Sequence, residues 1–233
     1  MASSNPLKGY CAVEVGNSVA GPYAGLILAE LGADVIKIES PNGGDFARAW
    51  GPPFWEGSAP HFVALNRNKR AITADLSVPE QRDRLEQLIV RDADAVIFNL
   101  RPGMAAERGL GAEKLLALKP SLVCWDIGAF GRGGPRSDKP GYDPLMQAYG
   151  GLMSITGEDE TRPPIRVPVA ITDMGAGLWA AVGILSSLLE REKTGRGGVV
   201  ETSLFETALA YNTIQMASVT IAPIVSAPSR APT

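Results

Sequence analysis

Asp173 stands alone as a carboxylate between an apolar, strand-like run (Ile165, Val167, Val169, Ile171) and a helix-like run from Met174 to Lys193. At the N-cap of such a helix, free backbone N–H groups and the positive end of the helix dipole keep a carboxylate ionised and aimed. An ionised, fixed carboxylate is a potential nucleophile. Taken alone, Asp173 reads more simply as a cap, because Asp is common there. The surrounding sequence reverses that balance.

Three other stretches carry groups with chemistry to offer. Asn99-Leu100-Arg101-Pro102-Gly103 combines an amide that can meet an adenine edge with a guanidinium that can pair with phosphate. A turn that needs only Pro102 and Gly103 is the competing explanation. Gly16-x4-Gly21 is a small-residue turn feeding a helix, but Pro22-Tyr23 stands where a phosphate loop needs Lys then Ser/Thr, and the G-x-G-x-x-G spacing is absent. Such a turn lets backbone N–H groups approach a phosphate or a planar ring, and it equally makes a tight connection. Asp143, after Tyr142, is a second potential N-cap. The basic group Arg67-Asn68-Lys69-Arg70 suits either phosphate contact or a solvated strand entry. With His61 as the only histidine, a His-centred metal site or a Ser-His-Asp triad within the chain is nearly excluded.

The elements that must position these groups alternate. Strands are expected at Tyr10 to Val15, Asp34 to Ile38, Ala71 to Leu76, Asp94 to Phe98, Leu122 to Ile127 and Val199 to Thr202. Helices are expected from Pro22 to Leu31, Pro79 to Asp92, Ala112 to Leu118, Pro144 to Leu152, along the run after Asp173, and from Ser203 to Thr220. Gly/Pro-rich loops fill Ser40 to Arg70 and Ala129 to Tyr142. Alternation of this kind predicts an α/β fold, a parallel sheet with helices on both faces, with ligands at the carboxyl ends of the strands.

Composition narrows the function classes. The 233 residues are 45% hydrophobic, enough for a sizeable core in about one domain. A net charge of −3 with no basic stripe argues against nucleic acid or an anionic membrane surface. Cys11 and Cys124 lie in apolar runs without a CxxC pairing, as buried reduced thiols of a cytoplasmic protein do. No signal core is evident, and no run is expected to reach the length of a membrane span.

Several blocks, in order, carry a resemblance: AGPYAGLILAELGADVIKIE (Ala20 to Glu39), GGDFARAWGPPF, NRNKRAITADLS (Asn66 to Ser77), NLRPG (Asn99 to Gly103), PGYDPLMQAYGGLMSITG (Pro140 to Gly157) and DMGAGLWAAVGILSSLLEREKTGRG (Asp173 to Gly197). From about Leu7 to Leu209 the chain closely resembles the class III CoA-transferases, the formyl-CoA transferase and CaiB/BaiF group. The resemblance implies a Rossmann-like large domain over residues 1–221 and a soluble cytoplasmic enzyme moving coenzyme A from an acyl-CoA to a carboxylic acid. No permanent cofactor or metal is implied. Asp173 matches the family's nucleophile. The CoA-binding positions match Val19 and Ala20, Ala74, Asp75, Leu76 and Ser77, Asn99, Leu100 and Arg101, and Tyr142 and Asp143. Ser40 and Glu107 stand where formyl-CoA transferase carries arginines, with Arg108 the nearest substitute for the second.

The same fold family includes α-methylacyl-CoA racemases, which pair this aspartate with a histidine in the loop matching Gly141-Tyr142-Asp143. Tyr142 occupies that place, and a phenol titrating near 10 suits two-base proton exchange poorly, so transfer is preferred. Family members are longer, with a small domain and a glycine-rich loop, and they form interlocked homodimers. The resemblance therefore covers an N-terminal portion with the small domain missing. Residues 222–233, rich in Pro and Ser, read as a disordered tail outside the family, and a catalytically silent CoA-binding fragment is the alternative reading.

Overall fold

The computed structural model describes residues 5–157 and 161–221. Runs of apolar and β-branched residues form six strands, β1 (Cys11–Gly16), β2 (Asp34–Glu39), β3 (Lys69–Thr73), β4 (Ala95–Asn99), β5 (Val123–Gly128) and β6 (Gly198–Ser203). All pair in parallel, in the order β3-β2-β1-β4-β5-β6. The expected α/β architecture is borne out. In this order the chain reverses direction across the sheet between β1 and β4, which opens a crevice where those two strands end. Gly16 and Asn99, the last residues of β1 and β4, are register partners at that crevice.

The helices are α1 (Ala20–Glu30), α2 (Pro60–Asn66), α3 (Pro79–Asp92), α4 (Met104–Glu107), α5 (Ala112–Leu118), α6 (Asp143–Tyr149), α7 (Ile171–Thr194), α8 (Leu204–Tyr211) and α9 (Thr213–Ile221). One face of the sheet packs α1 and α7 over Ala12, Ile97 and Trp125, and the other packs α3 and α5 over Val13, Val96 and Cys124. Burial on both faces explains why these strands read as near-continuous apolar runs. Small residues set how closely α7 approaches its neighbours: a Cβ on Gly177 would lie 2.6 Å from the Ala20 carbonyl, and one on Gly175 2.3 Å from the Tyr211 hydroxyl.

Several expectations are corrected. The Ile165–Ile171 run is not a strand: it is irregular chain up to Ala170, and Ile171 already begins α7. Alternating apolar residues there have no neighbouring strand to pair with. The third strand is β3, Lys69–Thr73, so Ala74 to Leu76 belong to the turn after it. The helix expected from Ser203 to Thr220 is broken at Asn212, whose Nδ2 donates to the Gly150 carbonyl at 2.6 Å. The Ser40–Arg70 loop contains α2 and a short 3-10 turn at Phe46–Ala49. Cys124 is buried, as expected, whereas Cys11 at the start of β1 is only half-buried. At 24 residues, α7 is long and apolar enough to cross a membrane, contrary to the expectation on run length. In this fold it packs against α1, β5, β6 and α8. The tail at 222–233 lies outside the described residues.

Candidate active site

A cleft of about 420 Å³ sits at the crevice and is lined by the ends of β1, β4 and β5 together with the start of α7. Of the residues singled out in the sequence, Val19, Asn99, Leu100, Arg101, Tyr142 and Asp173 meet there. Phe46, Met104 and Leu204, which the sequence reading missed, supply apolar wall. Phe46 was hidden because it lies in a segment read as loop, with no periodic pattern to mark its direction. An adjoining hollow of about 500 Å³ shares Pro102, Ile127 and Gly128 and holds none of the predicted site residues.

Asp173 occupies the first turn of α7, two residues inside its start, so it is not the N-cap. The N-cap is Ala170, which has no capping side chain. The structure also overturns the expectation of a carboxylate kept ionised by its helix. Burial first, and then the nearby Asp143 carboxylate, push the Asp173 carboxyl up to about 7. Among the described residues no hydrogen bond or ion pair holds its oxygens. The carboxyl is thus half-buried, unpartnered among the described residues and open to the cleft, the setting in which functional carboxyls are sought.

Asp143 is what fixes that turn. It is the first residue of α6 rather than an N-cap, and it is 2% exposed. Its Oδ1 accepts from the Thr172 backbone N–H at 2.8 Å and the Thr172 hydroxyl at 2.7 Å, and its Oδ2 accepts from Gln147 Nε2 at 2.7 Å. Gln147 in turn accepts from the Val167 N–H at 2.8 Å and donates to the Val167 carbonyl at 3.1 Å. These bonds replace the absent strand ladder as the tether for the chain entering α7. With both oxygens engaged, Asp143 lies behind the cleft wall. Asp143→Asn should bring the Asp173 titration, followed by carboxyl NMR, down from about 7 toward the ordinary carboxylate range. It should also cost about 1–3 kcal/mol, because one donor loses its acceptor. An unmoved titration would show that Asp143 does not act on Asp173.

The remaining predicted residues fall into two places. Ala20 is buried at the start of α1, under α7 rather than in the cleft. Ala74, Asp75, Leu76 and Ser77 form the turn after β3, where Asp75 Oδ1 accepts from the Ser77 N–H at 2.8 Å and hydroxyl at 2.6 Å. Those bonds, with a smaller contribution from Arg108, hold the Asp75 carboxyl below its usual range. Leu100 belongs to the cleft and packs on the same core cluster as Ala74 and Leu76, so it links the two groups. Arg101 is paired with Glu107 at 2.5 Å instead of standing free. That exposed pair is weak enough to exchange for a phosphate. Asn99 donates from Nδ2 to the Asn17 carbonyl at 2.7 Å, so part of its amide is spent on the β1–α1 turn. His61 is exposed and edge-on to Trp50, an ordinary structural position.

Fold and cleft together define a doubly wound α/β protein whose site lies at the switch point of a parallel sheet and carries one unpartnered carboxyl. CoA-transferase family III matches residues 7–231. The chain belongs to that family. It is 42% identical over 207 residues to succinate–glutarate CoA-transferase from Agrobacterium fabrum, covering 86% of this chain and 51% of that one. It is 36% identical over 208 residues to succinyl-CoA:glutarate CoA-transferase from Mus musculus, covering 89% of this chain and 47% of that one. The crystal structure of a CaiB/BaiF family protein from Brucella suis superposes with a TM-score of 0.89 at 41% identity, covering 93% of this chain and 58% of that one. The chain thus spans about half the length of the curated relatives it matches.

Proposed function

We propose that this chain is the CoA-binding, nucleophile-bearing part of an acyl-CoA:carboxylate CoA-transferase acting on small dicarboxylic acids. The observation that carries the reading is the Asp173 carboxyl, unpartnered at the wall of the switch-point cleft. The dicarboxylate class follows the relatives named for succinate, glutarate and D-citramalate. Val19, Asn99, Leu100 and Arg101 line the nucleotide side, and Ala74 to Ser77 with Arg108 extend it.

An Asp173 oxygen attacks the thioester carbonyl of the acyl-CoA. The C–S bond breaks, and a mixed anhydride and the CoA thiolate result. The thiolate then attacks the aspartyl carbonyl, releasing the donor as a carboxylate and leaving an aspartyl-CoA thioester. The acceptor carboxylate attacks that thioester and expels the thiolate again. Attack of the thiolate on the acceptor carbonyl of the new anhydride releases acceptor-CoA and regenerates Asp173. No net proton, electron pair or third reactant is consumed. Raising the carboxyl toward 7 makes it a more basic oxygen nucleophile than an ordinary carboxylate.

The test is to incubate the chain with succinyl-CoA, add hydroxylamine, and map the product by peptide mass spectrometry. An aspartyl hydroxamate at residue 173 is expected, and adduct-free peptide at saturating succinyl-CoA would sink the transfer reading. A second reading, a silent CoA-binding chain, is favoured by the cleft lying open to solvent. Calorimetric CoA binding without adduct supports it. A homodimer, as in the interlocked family members, is part of the proposal and is checked by sedimentation.

A further inference from the structure

Beneath the β1–α1 turn lies a charged cluster that the transfer chemistry does not use. Glu14 on β1 and Lys37 on β2 are register partners, and their side chains are at most 1% exposed. Lys37 Nζ donates to Glu14 Oε1 at 2.7 Å and to the Gly16 carbonyl at 3.0 Å, and pairs with Asp45 Oδ2 at 2.9 Å. Lys69 Nζ donates to the other Glu14 oxygen at 2.7 Å, to the Pro22 carbonyl at 2.7 Å and to Asn66 Oδ1 at 2.9 Å. Two acids and two lysines make the cluster neutral. Clusters of this kind add little stability over apolar replacements, and their best-attested use is to fix one arrangement among several.

What this cluster fixes is the turn itself. Each of three successive backbone groups is gripped by a different side chain: the Gly16 carbonyl by Lys37, the Asn17 carbonyl by Asn99, and the Ser18 N–H by Asp45 Oδ1 at 2.9 Å. Ser18 has φ +70°, a left-handed conformation uncommon for residues other than glycine. Asp45 is held in its own right, since Oδ1 also accepts from the Ala47 N–H at 2.9 Å and its backbone N–H donates to Glu39 Oε2 at 3.1 Å.

We propose that Asp45, anchored by Lys37, is a positioning residue for the site: it fixes the left-handed Ser18 and so presents Val19 to the cleft in a preformed geometry. The ligand half of this proposal rests on the cleft being the CoA site, whereas the ordering of the turn does not. A ligand meeting a preformed turn avoids the entropic cost of ordering it on binding.

The experiment compares the parent chain with Asp45→Ala, Asp45→Asn and Ile89→Ala, by amide hydrogen exchange and by calorimetric titration with CoA. Ile89 is fully buried in α3 on the opposite face of the sheet. Asp45→Ala should speed exchange at Ser18 by about tenfold or more, as local opening becomes easier. It should weaken CoA binding by about tenfold as well. Asp45→Asn keeps one oxygen for the Ser18 N–H and should stay within about threefold of the parent in exchange. Ile89→Ala should lower Tm and, well below that Tm, move neither readout. Unchanged Ser18 exchange in Asp45→Ala, or equal acceleration in Ile89→Ala, overturns the proposal. If the parent itself fails to bind CoA, the reading of the cleft falls and the exchange data alone decide the turn. Should Asp45→Ala not fold, Asp45→Ser, with a hydroxyl too short to reach Ser18, carries the same expectation.

Discussion

Asp173→Asn is expected to abolish every covalent adduct at residue 173 and at the same time to make the chain more stable at pH 8. The first outcome follows from chemistry, since a neutral amide cannot form the anhydride. The second follows from linkage. The folded-state carboxyl titrates at about 7, above the ordinary unfolded value near 4, so the folded chain binds the extra proton between those two values. Stability then falls as pH rises from about 4, and the loss is complete above about 7. Asn carries no such loss. Its advantage should be near zero at pH 4, grow through pH 7 and stay level above it, reaching on the order of 1–3 kcal/mol in a group still partly solvated. Urea unfolding of both proteins across that range measures it. An ionised first-turn aspartate that only served the helix dipole would give the opposite sign, because the neutral amide forfeits about 0.3–1 kcal/mol at pH 8, and that result would return Asp173 to a structural role. Adduct formation in the parent should likewise rise with pH through about 7, as the carboxyl ionises.

Glu14→Leu is expected to destabilise the chain by about 3–5 kcal/mol, a large share of the stability of a domain this size. Glu14 is fully buried and supplies both lysines with an oxygen. Burial opposes its ionisation, but Lys37 and Lys69 overcome that and hold the carboxyl below its usual range. Removing it leaves two ammonium groups for the single Asp45 carboxylate in a dry space. Lys69, which burial already pushes down to about 8 against the pull of Glu14, should then lose its proton near neutral pH. Replacing the pair together, Glu14→Leu with Lys69→Met, should recover much of the loss, since no unpaired charge remains. A single-variant cost below about 1 kcal/mol in denaturant unfolding would mean that water reaches the cluster.

The legible part of the molecule was the part governed by local pattern. Five of the six strands fall within one residue of where their apolar runs predicted, and β1, β2, β4 and β5 do so because strands buried on both faces declare themselves by composition. Helix ends at Pro79 and Gly195 followed from the same local rules. The run before Asp173 misled for the opposite reason. Ile165, Val167 and Val169 alternate as a strand does, yet only a neighbouring ladder makes a strand, and here the tether is the side chain of Gln147. Glu14 and Lys37 left a signal that could have been read. Each is the one charge with apolar neighbours on both sides in its strand, Val-Glu-Val in CAVEVG and Ile-Lys-Ile in DVIKIE, and opposite charges in two neighbouring parallel strands are candidates for a buried pair.

By itself, the sequence determined the doubly wound class, the family and which carboxylate to watch, since these rest on the order of local patterns and on residue identity. Tertiary structure decided the state of that carboxylate. Its pKa depends on burial and on the distance to Asp143, thirty positions earlier along the chain, and neither quantity is a property of any local window. The fold alone also brought Asn99, Asp45 and Lys37 onto the two consecutive peptide groups that link Gly16, Asn17 and Ser18. Parallel strands place residues far apart in sequence at a common sheet end, and only the register β1 keeps with β2 and β4 specifies which of them meet.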